Sequence, residues 1–194
     1  MSDCLDCPGR CDCHTQYKGF VKWEGWLTCY LDFPKHDNSV SLGKCEASHE
    51  KHGYPCHHAT DGKLNAKNNA WSNDNNFPAY IQFTFKDEKM IHISKVTIQY
   101  GFQESTRLKK CRVRFNVASR GWTVPTNIKV IGPAEDVASV DNDGHINLKE
   151  EKFEDFEILF DPIDAWQVQF ELLETWNNKM GIVNEIILHK AGKL

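Results

Sequence analysis

Oxygen-bearing side chains are concentrated in the loop that follows the pair Asp61-Gly62. This pair predicts a tight turn, because glycine readily takes a positive φ angle and aspartate can bond to its own backbone. Residues 63–76 are rich in asparagine and contain little apolar material. Calcium prefers carboxylate, amide and carbonyl oxygens, about six to eight of them. The stretch therefore predicts a surface loop that can hold a calcium ion.

Glu185 lies within the apolar run of residues 182–188. An ionised carboxylate is costly in apolar surroundings unless it is paired with a charge or bound to a metal. The alternative interpretation is an edge strand from which Glu185 faces solvent. Of the two interpretations we favour the bound cation.

Four cysteines, Cys4, Cys7, Cys11 and Cys13, precede His14 at the N-terminus. Thiolates at this spacing can surround zinc, but a structural zinc site usually has two well-separated pairs. We favour disulfide bonds, within the chain or between chains. The pairing cannot be read from the sequence.

Histidines His49, His52, His57 and His58 lie in or next to the segment between Cys45 and Cys56. Imidazoles at this density can bind zinc, copper or nickel. We favour a polar surface loop closed by a Cys45–Cys56 bridge, because no carboxylates are evident to orient the rings.

A second cation motif lies in an acidic block, where Asp141, Asp143, Gly144 and Glu150 match several EF-hand spacings. Ser139 occupies the first ligand position, and the preceding segment is strand-like rather than helical. The motif therefore predicts an Asp-Gly hairpin turn instead of an EF-hand.

Composition excludes several classes of function. The 194 residues carry a net charge of −4, so no basic face indicates nucleic acid as a partner. No apolar run reaches the ~20 residues that a membrane-spanning helix needs. No catalytic motif is evident, and pairs such as Glu150-Glu151 lie in a charge run, so we expect no enzyme activity. The N-terminus lacks a signal peptide, but eight cysteines favour an oxidised, extracellular protein.

Short alternating runs separated by turns predict an all-β protein, an antiparallel sandwich or barrel. One or two strands are predicted within 20–33, where Gly25 marks a bend and Trp23 and Trp26 are either core residues or a sugar-stacking platform. Residues 1–37 are predicted to form a cysteine-rich segment, and residues 38–194 the main domain. The predicted strands of the main domain lie at 80–85, 90–100, 112–117, 122–124, 127–131, 156–160, 166–172 and 182–188.

The order of motifs from Asn38 onward resembles the discoidin domain, also called the coagulation factor V/VIII type C domain. The resemblance covers residues 38–189 and is carried by Gly43-Lys44, Tyr54-Pro55, Ala59-Thr60-Asp61-Gly62, Trp71-Ser72 and Tyr80-Ile81-Gln82. It implies an antiparallel β-sandwich jelly roll that works as an extracellular lectin. It also implies a structural calcium held by Asp61 and Glu185, with help from Lys63, Asn65, Asn69 and Asn184.

The chain departs from the sugar-binding patterns of this family. F-type lectins bind fucose with residues of a strand that carries Gln82 and Thr84 in this sequence. Galactose-binding members use a His after the loop Trp, where this sequence has Ser72-Asn73. Amides, carboxylates or Arg beside an aromatic ring could still build a site. The candidate ligand-binding residues are Tyr54, Asn73, Asp74, Asn76, Phe77, Gln103, Glu104 and Arg107.

Three hypotheses of function follow. The first is a calcium-braced lectin whose partners are glycans or glycoproteins. The second is an adhesive or structural matrix protein that is cross-linked through its N-terminal cysteines, forms homo-oligomers and binds other matrix proteins. The third is a Cys/His metal-binding protein. We favour the first.

Overall fold

The computed structural model describes residues 19–23, 26–30, 39–62, 69–99, 108–132, 136–149, 155–176 and 178–192. The chain divides into two compact units, Met1–Asp37 and Asn38–Leu194. In the first unit, β1 (Gly19–Trp23) and β2 (Trp26–Tyr30) form an antiparallel hairpin, which confirms the strands predicted on either side of Gly25. The side chains of Trp23 and Trp26 lie outside the described part of the chain, and so do Cys4, Cys7, Cys11, Cys13 and His14.

The second unit is a β-sandwich, and the antiparallel all-β fold expected from the sequence is confirmed. Its strands are β3 (Leu42–Ala47), β4 (Trp71–Ser72), β5 (Ala79–Phe85), β6 (Ile91–Gln99), β7 (Leu108–Val117), β8 (Gly121–Thr123), β9 (Lys129–Ile131), β10 (Ala138–Val140), β11 (Ile146–Leu148), β12 (Asp155–Ala165), β13 (Gln167–Thr175), β14 (Ile182–Val183) and β15 (Glu185–Lys190).

Two antiparallel sheets enclose the core. Among the described residues, the larger sheet has the strand order β10-β11-β7-β13-β5-β3, with β8 paired to β7, and the smaller has the order β15-β6-β12-β9. The short strands β4 and β14 pair with each other at one end. One hydrophobic cluster draws Phe83, Phe115 and Phe170 from the larger sheet and Ile98 and Ile158 from the smaller.

Alternation of side chains explains why these segments form strands with one apolar face. In β5, Ile81, Phe83 and Phe85 are buried, whereas the residues between them are partly or fully exposed. Burying a phenylalanine side chain stabilises the fold by roughly 1.5–3 kcal/mol, so this face fixes the register of the strand. In β7, Val113 and Phe115 are likewise buried.

β3 lies where no strand was predicted, and β12 is longer than the predicted strand 156–160, because it continues through Pro162 to Ala165. Pro162 is tolerated because the pairing between β12 and β6 shifts register between Leu159 and Ile163. The sheet therefore needs no hydrogen bond from the backbone nitrogen of this proline. Asp161 fixes the irregular region, since its carboxylate accepts hydrogen bonds from Thr126 Oγ1 at 2.9 Å and Asn127 Nδ2 at 2.7 Å.

The acidic motif forms a hairpin between β10 and β11, as predicted. The Asp141 carboxylate accepts the backbone N–H groups of Asp143 and His145 at 3.0 and 2.9 Å, and Gly144 has a φ of +74°. The ligating atoms of Asp141, Asp143 and His145 lie within 4.8 Å of one another and the two aspartates are exposed. No helix precedes this turn in the described residues 136–149, so the EF-hand geometry is not formed.

The predicted bridge between Cys45 and Cys56 is confirmed. It joins β3 to the first residue of a 3₁₀ helix, Cys56–Thr60, which leads directly into Asp61. Cys111 is a free thiol in the core, and burial raises its pKa, so it is unreactive. Among the described residues, none of the helices is both long and apolar enough to cross a membrane.

Two glycines with similar backbone angles predict different tolerance to alanine. Gly121 has a φ of +68° and open space around a Cβ atom, whereas at Gly144 a Cβ would lie 2.2 Å from Val124 Cγ1. We expect Gly121→Ala to lower the free energy of unfolding by about 1–2 kcal/mol through backbone strain alone. Gly144→Ala should cost about 1–3 kcal/mol more because of overpacking. Urea unfolding measures both, and equal losses would contradict the packing described for the hairpin.

Candidate functional site

The predicted calcium ligands Glu185 and Asn184 lie where β6 ends and β15 begins. Glu185 is directly opposite Gln99 in the antiparallel pair, so the two side chains point to the same face. Glu185 is only 4% exposed, and burial raises the pKa of its carboxyl group to about 8. The N–H of Gly62, which donates to Glu185 Oε2 at 3.2 Å, opposes this shift, and the charge of Asp61 adds to it. Glu185 is therefore a buried carboxyl group without a neutralising side chain among the described residues.

Two buried amide oxygens accompany this carboxyl group. Asn184 Oδ1 and Gln99 Oε1 have no hydrogen-bond partner among the described residues. Two hydrogen bonds fix Asn184: its backbone N–H donates to Gln99 O at 2.9 Å, and its Nδ2 donates to Asn69 O at 3.3 Å. Buried oxygens without donors are costly, and amide oxygens are among the ligands that calcium accepts.

Asp61 is brought to the same place by its turn. Gly62 has a φ of +74°, as predicted for the Asp-Gly pair. Asn69, which is buried, donates from Nδ2 to Asp61 Oδ1 at 2.7 Å, and its carbonyl accepts from Asn184. The structure thus gathers Asp61, Asn69, Asn184 and Glu185, whereas Lys63 and Asn65 lie outside the described residues.

This donor set fits calcium rather than a transition metal. It consists of carboxylate and amide oxygens, which suit a hard cation, and offers no thiolate or imidazole. The sequence analysis did not identify Gln99. A glutamine at the end of the apolar run Val96-Thr97-Ile98 is the signal that could have indicated it.

Asn73, a predicted ligand-binding residue, is fully buried and links two loops. Its Nδ2 donates to Asn76 O at 2.5 Å, and its Oδ1 accepts from the backbone N–H of Gly181 at 2.7 Å. Both atoms of the amide are therefore occupied by the protein, and the side chain supports the loops instead of facing solvent.

Asp74 and Asn76, in contrast, are exposed on the same loop. Asp74 and Asn75 have φ angles of 50° and 64°, a left-handed conformation that Asn and Asp tolerate better than other residues with side chains. Asn75 Oδ1 accepts the backbone N–H of Met180 at 2.5 Å, which makes a second tie to the 178–181 loop. The sequence analysis missed this role of Asn75.

Tyr54 lies in a turn that is attached to β4 by backbone hydrogen bonds. Lys51 N donates to Ser72 O at 3.0 Å and Ser72 N donates to Tyr54 O at 3.3 Å. Lys51 Nζ lies 5.4 Å from the centre of the Tyr54 ring and donates to Met180 Sδ at 3.2 Å. Three loops, 51–54, 73–76 and 178–181, therefore meet at one end of the sandwich.

Aromatic side chains at this end differ in their accessibility. Phe77 packs against the hydrophobic core, so only part of its ring is accessible. Trp176, which the sequence analysis missed as a candidate, is half-buried, with the Lys109 Nζ 5.8 Å from its ring centre. Its indole Nε1 is buried and has no hydrogen-bond partner among the described residues. Gln103, Glu104 and Arg107 lie outside the described part of the chain.

The histidines near the disulfide do not gather into a metal site. In the described ranges, the group Asp141, Asp143 and His145 is the only one in which three such ligands lie close together. The rings of His57 and His58 make an edge-on contact at 4.7 Å. This geometry agrees with the favoured interpretation of a polar surface loop.

The buried amide of Asn73 predicts a stability effect that distinguishes it from its exposed neighbour. Asn73→Ala leaves the Gly181 N–H without its acceptor, which costs about 1–3 kcal/mol for each buried group left unpaired. Asn76→Ala is the matched control and should cost less than about 1 kcal/mol, because water can replace its bonds. Urea unfolding of both variants is the measurement. A larger loss for Asn76→Ala would refute the assignment of Asn73 as the link between the loops.

The raised pKa of Glu185 predicts a pH dependence of the metal-free protein. Between pH 4.5, the ordinary value, and about pH 8, the folded state keeps a proton that the unfolded state has lost. The free energy of unfolding should therefore fall as the pH rises through this window, by at most about 1.4 kcal/mol per pH unit, and level off above it. Urea unfolding in a chelator, compared with Glu185→Gln, isolates this contribution. Identical slopes for the two proteins would contradict the burial of Glu185.

Comparison with known proteins identifies the fold. The chain is 16% identical to a pectin-binding carbohydrate-binding module, with a TM-score of 0.55 over 80% of this chain and 95% of that one. The lectin domain of lectinolysin in complex with Lewis b antigen is 13% identical, with a TM-score of 0.56, 77% of this chain and 93% of that one. The family 32 module of NanJ from C. perfringens in complex with galactose is 14% identical, with a TM-score of 0.55, 79% of this chain and 98% of that one.

At this level of identity the solved structures establish the fold alone. No curated protein sequence matches the chain significantly. The sequence profile of the F5/8 type C domain matches residues 44–186, which is more than half of the chain. The resemblance stated from the sequence motifs is thus confirmed, and the protein belongs to the F5/8 type C, or discoidin, domain family.

Proposed function

We propose that the second unit, Asn38–Leu194, is a carbohydrate-binding module that binds glycans or glycoproteins through the loops 51–54, 73–76 and 178–181. The observation that carries this proposal is the mutual fixing of these loops. Asn73 and Asn75 tie two of them together, and Lys51 links the third to Met180. Exposed groups between fixed loops are preorganised, which lowers the entropy lost when a ligand binds.

The chemistry of the exposed groups supports a saccharide as the ligand. Sugar hydroxyls are bound by carboxylates and amides, and the apolar face of a sugar ring stacks on an aromatic side chain. Asp74 and Asn76 supply the polar groups on the exposed side of the loop. Tyr54 and Trp176, both half-buried, supply aromatic rings at the same end of the sandwich.

The structural relatives support the same class of ligand. One of them is a pectin-binding module, and two others are in complex with Lewis b antigen and with galactose. These sugars differ widely, so the shared fold supports a saccharide in general. Fucose recognition from β5 is disfavoured, because Gln82 and Thr84 point outward from the larger sheet beside Gln169 and Gln167, not toward the three loops.

A calcium ion bound by Asp61, Asn69, Asn184 and Glu185 is the second part of the proposal. The buried oxygens of Asn184 and Gln99 and the raised pKa of Glu185 support it. Calcium would compensate the buried carboxylate and hold the Asp61-Gly62 turn against β15. The Cys45–Cys56 bridge, which leads into that turn, also supports an extracellular setting, since disulfides persist in oxidising compartments.

A glycan array probed with the full chain tests the function directly. With calcium we expect selective binding to a small set of glycans, and with a chelator we expect that binding to be lost. Tyr54→Ala and Asp74→Ala should each weaken binding by about tenfold or more, equivalent to about 1.4 kcal/mol. The absence of glycan binding in both conditions would contradict the proposal.

Asp143→Asn is the matched control for the effect of calcium. It removes an exposed carboxylate from the Asp141–Asp143–His145 group in the hairpin between β10 and β11. We expect its glycan binding to keep the calcium dependence of the unaltered protein, whereas Asp61→Asn should need more calcium. If Asp143→Asn needed more calcium and Asp61→Asn did not, the cation that supports glycan binding would lie at the β10–β11 hairpin.

A further inference from the structure

The outer face of the larger sheet carries polar side chains where its middle strand is nearly inaccessible to water. We call this surface the polar sheet face and define it by Gln82, Arg112, Arg114, Trp122, Gln169 and Glu171. Gln169 and Glu171 of β13 are only 5% and 8% exposed. Their side chains point away from the core, because they alternate along the strand with Val168, Phe170 and Leu172, which fill the inner face. Polar groups at this depth are costly unless they are bonded.

Cross-strand bonds account for part of this polar layer. Gln169 lies opposite Gln82 on one side and Arg114 on the other. Arg114 Nη2 donates to Gln169 Oε1 at 2.6 Å and lies 2.7 Å from Glu171 Oε1. Arg112 Nε donates to the other oxygen of Glu171 at 2.6 Å. Two guanidinium groups thus share one carboxylate, which leaves a surplus positive charge in the layer.

Hydrogen-bonding capacity in the layer exceeds what the described residues use. Arg114 Nε is buried and has no acceptor there. The terminal nitrogens of Arg112 and the amide of Gln82 make no hydrogen bond with the described residues, although both side chains are partly accessible. These groups are held in position by the sheet and by Glu171, so an incoming ligand would find them preorganised.

Aromatic rings flank the polar groups on both sides. Trp122 of β8 lies opposite Asn116, with the guanidinium carbon of Arg114 at 5.9 Å from its ring centre. Tyr80, which lies opposite Glu171 on β5, is 37% exposed. Amides and guanidinium groups that lie between aromatic rings match the chemistry of a sugar chain. The surplus guanidinium charge matches a carboxylate, which Arg can bind with two parallel hydrogen bonds.

We propose that the polar sheet face is a second binding site, which takes an acidic oligosaccharide of the uronate type. Arg112 binds the carboxylate of the sugar, Gln82 binds hydroxyl groups, and Trp122 stacks on a sugar ring. The site lies on the face of the larger sheet and uses none of the residues proposed for calcium. Its binding is therefore independent of the cation.

Chemical-shift mapping by NMR tests this site with the full chain in the presence of a chelator. The probe is a short oligogalacturonate, and an uncharged galactose oligomer of the same length is its control. We expect the acidic probe to shift the indole N–H of Trp122 and the backbone amides of β5, β7 and β13. Arg112→Lys and Gln82→Ala should each weaken binding fivefold or more.

Both variants keep Arg114 beside Glu171, so the buried carboxylate retains a partner and the fold can be checked by thermal unfolding. Tyr54→Ala is the matched control at the loop end and should bind the acidic probe unchanged. Shifts confined to 73–76 and 178–181, no shifts at all, or equal binding of the neutral probe would each overturn the proposal. This result is separate from the test of the lectin proposal. We expect glycan binding at the loops 51–54, 73–76 and 178–181 to need calcium, and this experiment contains none.

Discussion

The buried carboxyl group of Glu185 is the strongest electrostatic constraint at the end of the sandwich where the Asp61-Gly62 turn lies. Strand pairing with Gln99 fixes its position at the start of β15, where 4% exposure removes most of its water. A group in this environment either keeps a proton or needs a cation. The Asp61-Gly62 turn meets it through the Gly62 N–H, and the Asn69 side chain in turn bonds to Asp61. How this charge is compensated therefore decides how firmly the loop around Asp61 is held.

Buried asparagines connect this end of the molecule, and exposed polar residues lie beside them. Asn184 joins β15 to the Asn69 backbone, and Asn73 joins the 73–76 loop to Gly181. An amide suits this work because it donates and accepts at once and carries no charge to neutralise. Asp74 and Asn76 lie on the same loop but face solvent. Asn73 and Asn184 thus hold the loops together, whereas Asp74 and Asn76 face solvent.

Alternation and turn chemistry allowed much of the fold to be predicted from the sequence. Val113 and Phe115 indicated the inner face of β7, and Asp143-Gly144 indicated the hairpin between β10 and β11, because both signals are local. The predicted strand 156–160 stops before Pro162, and only the tertiary pairing with β6 shows that a register shift lets β12 continue past this proline. Asp61 and Glu185 could be matched through the family resemblance. The burial of Asn73 and the clustering of Arg112, Arg114 and Glu171 depend on contacts between distant segments, which spacing along one chain does not reveal.

Calorimetric titration of the chelator-treated protein with calcium tests the proposal that Glu185 binds a cation. We expect one calcium ion per chain and a rise in the unfolding temperature. We also expect release of a proton near neutral pH, because burial raises the pKa of Glu185 to about 8 and calcium binds the ionised form. Glu185→Gln should bind calcium weakly and release no proton. The absence of binding, or equal binding and proton release by this variant, would contradict the account.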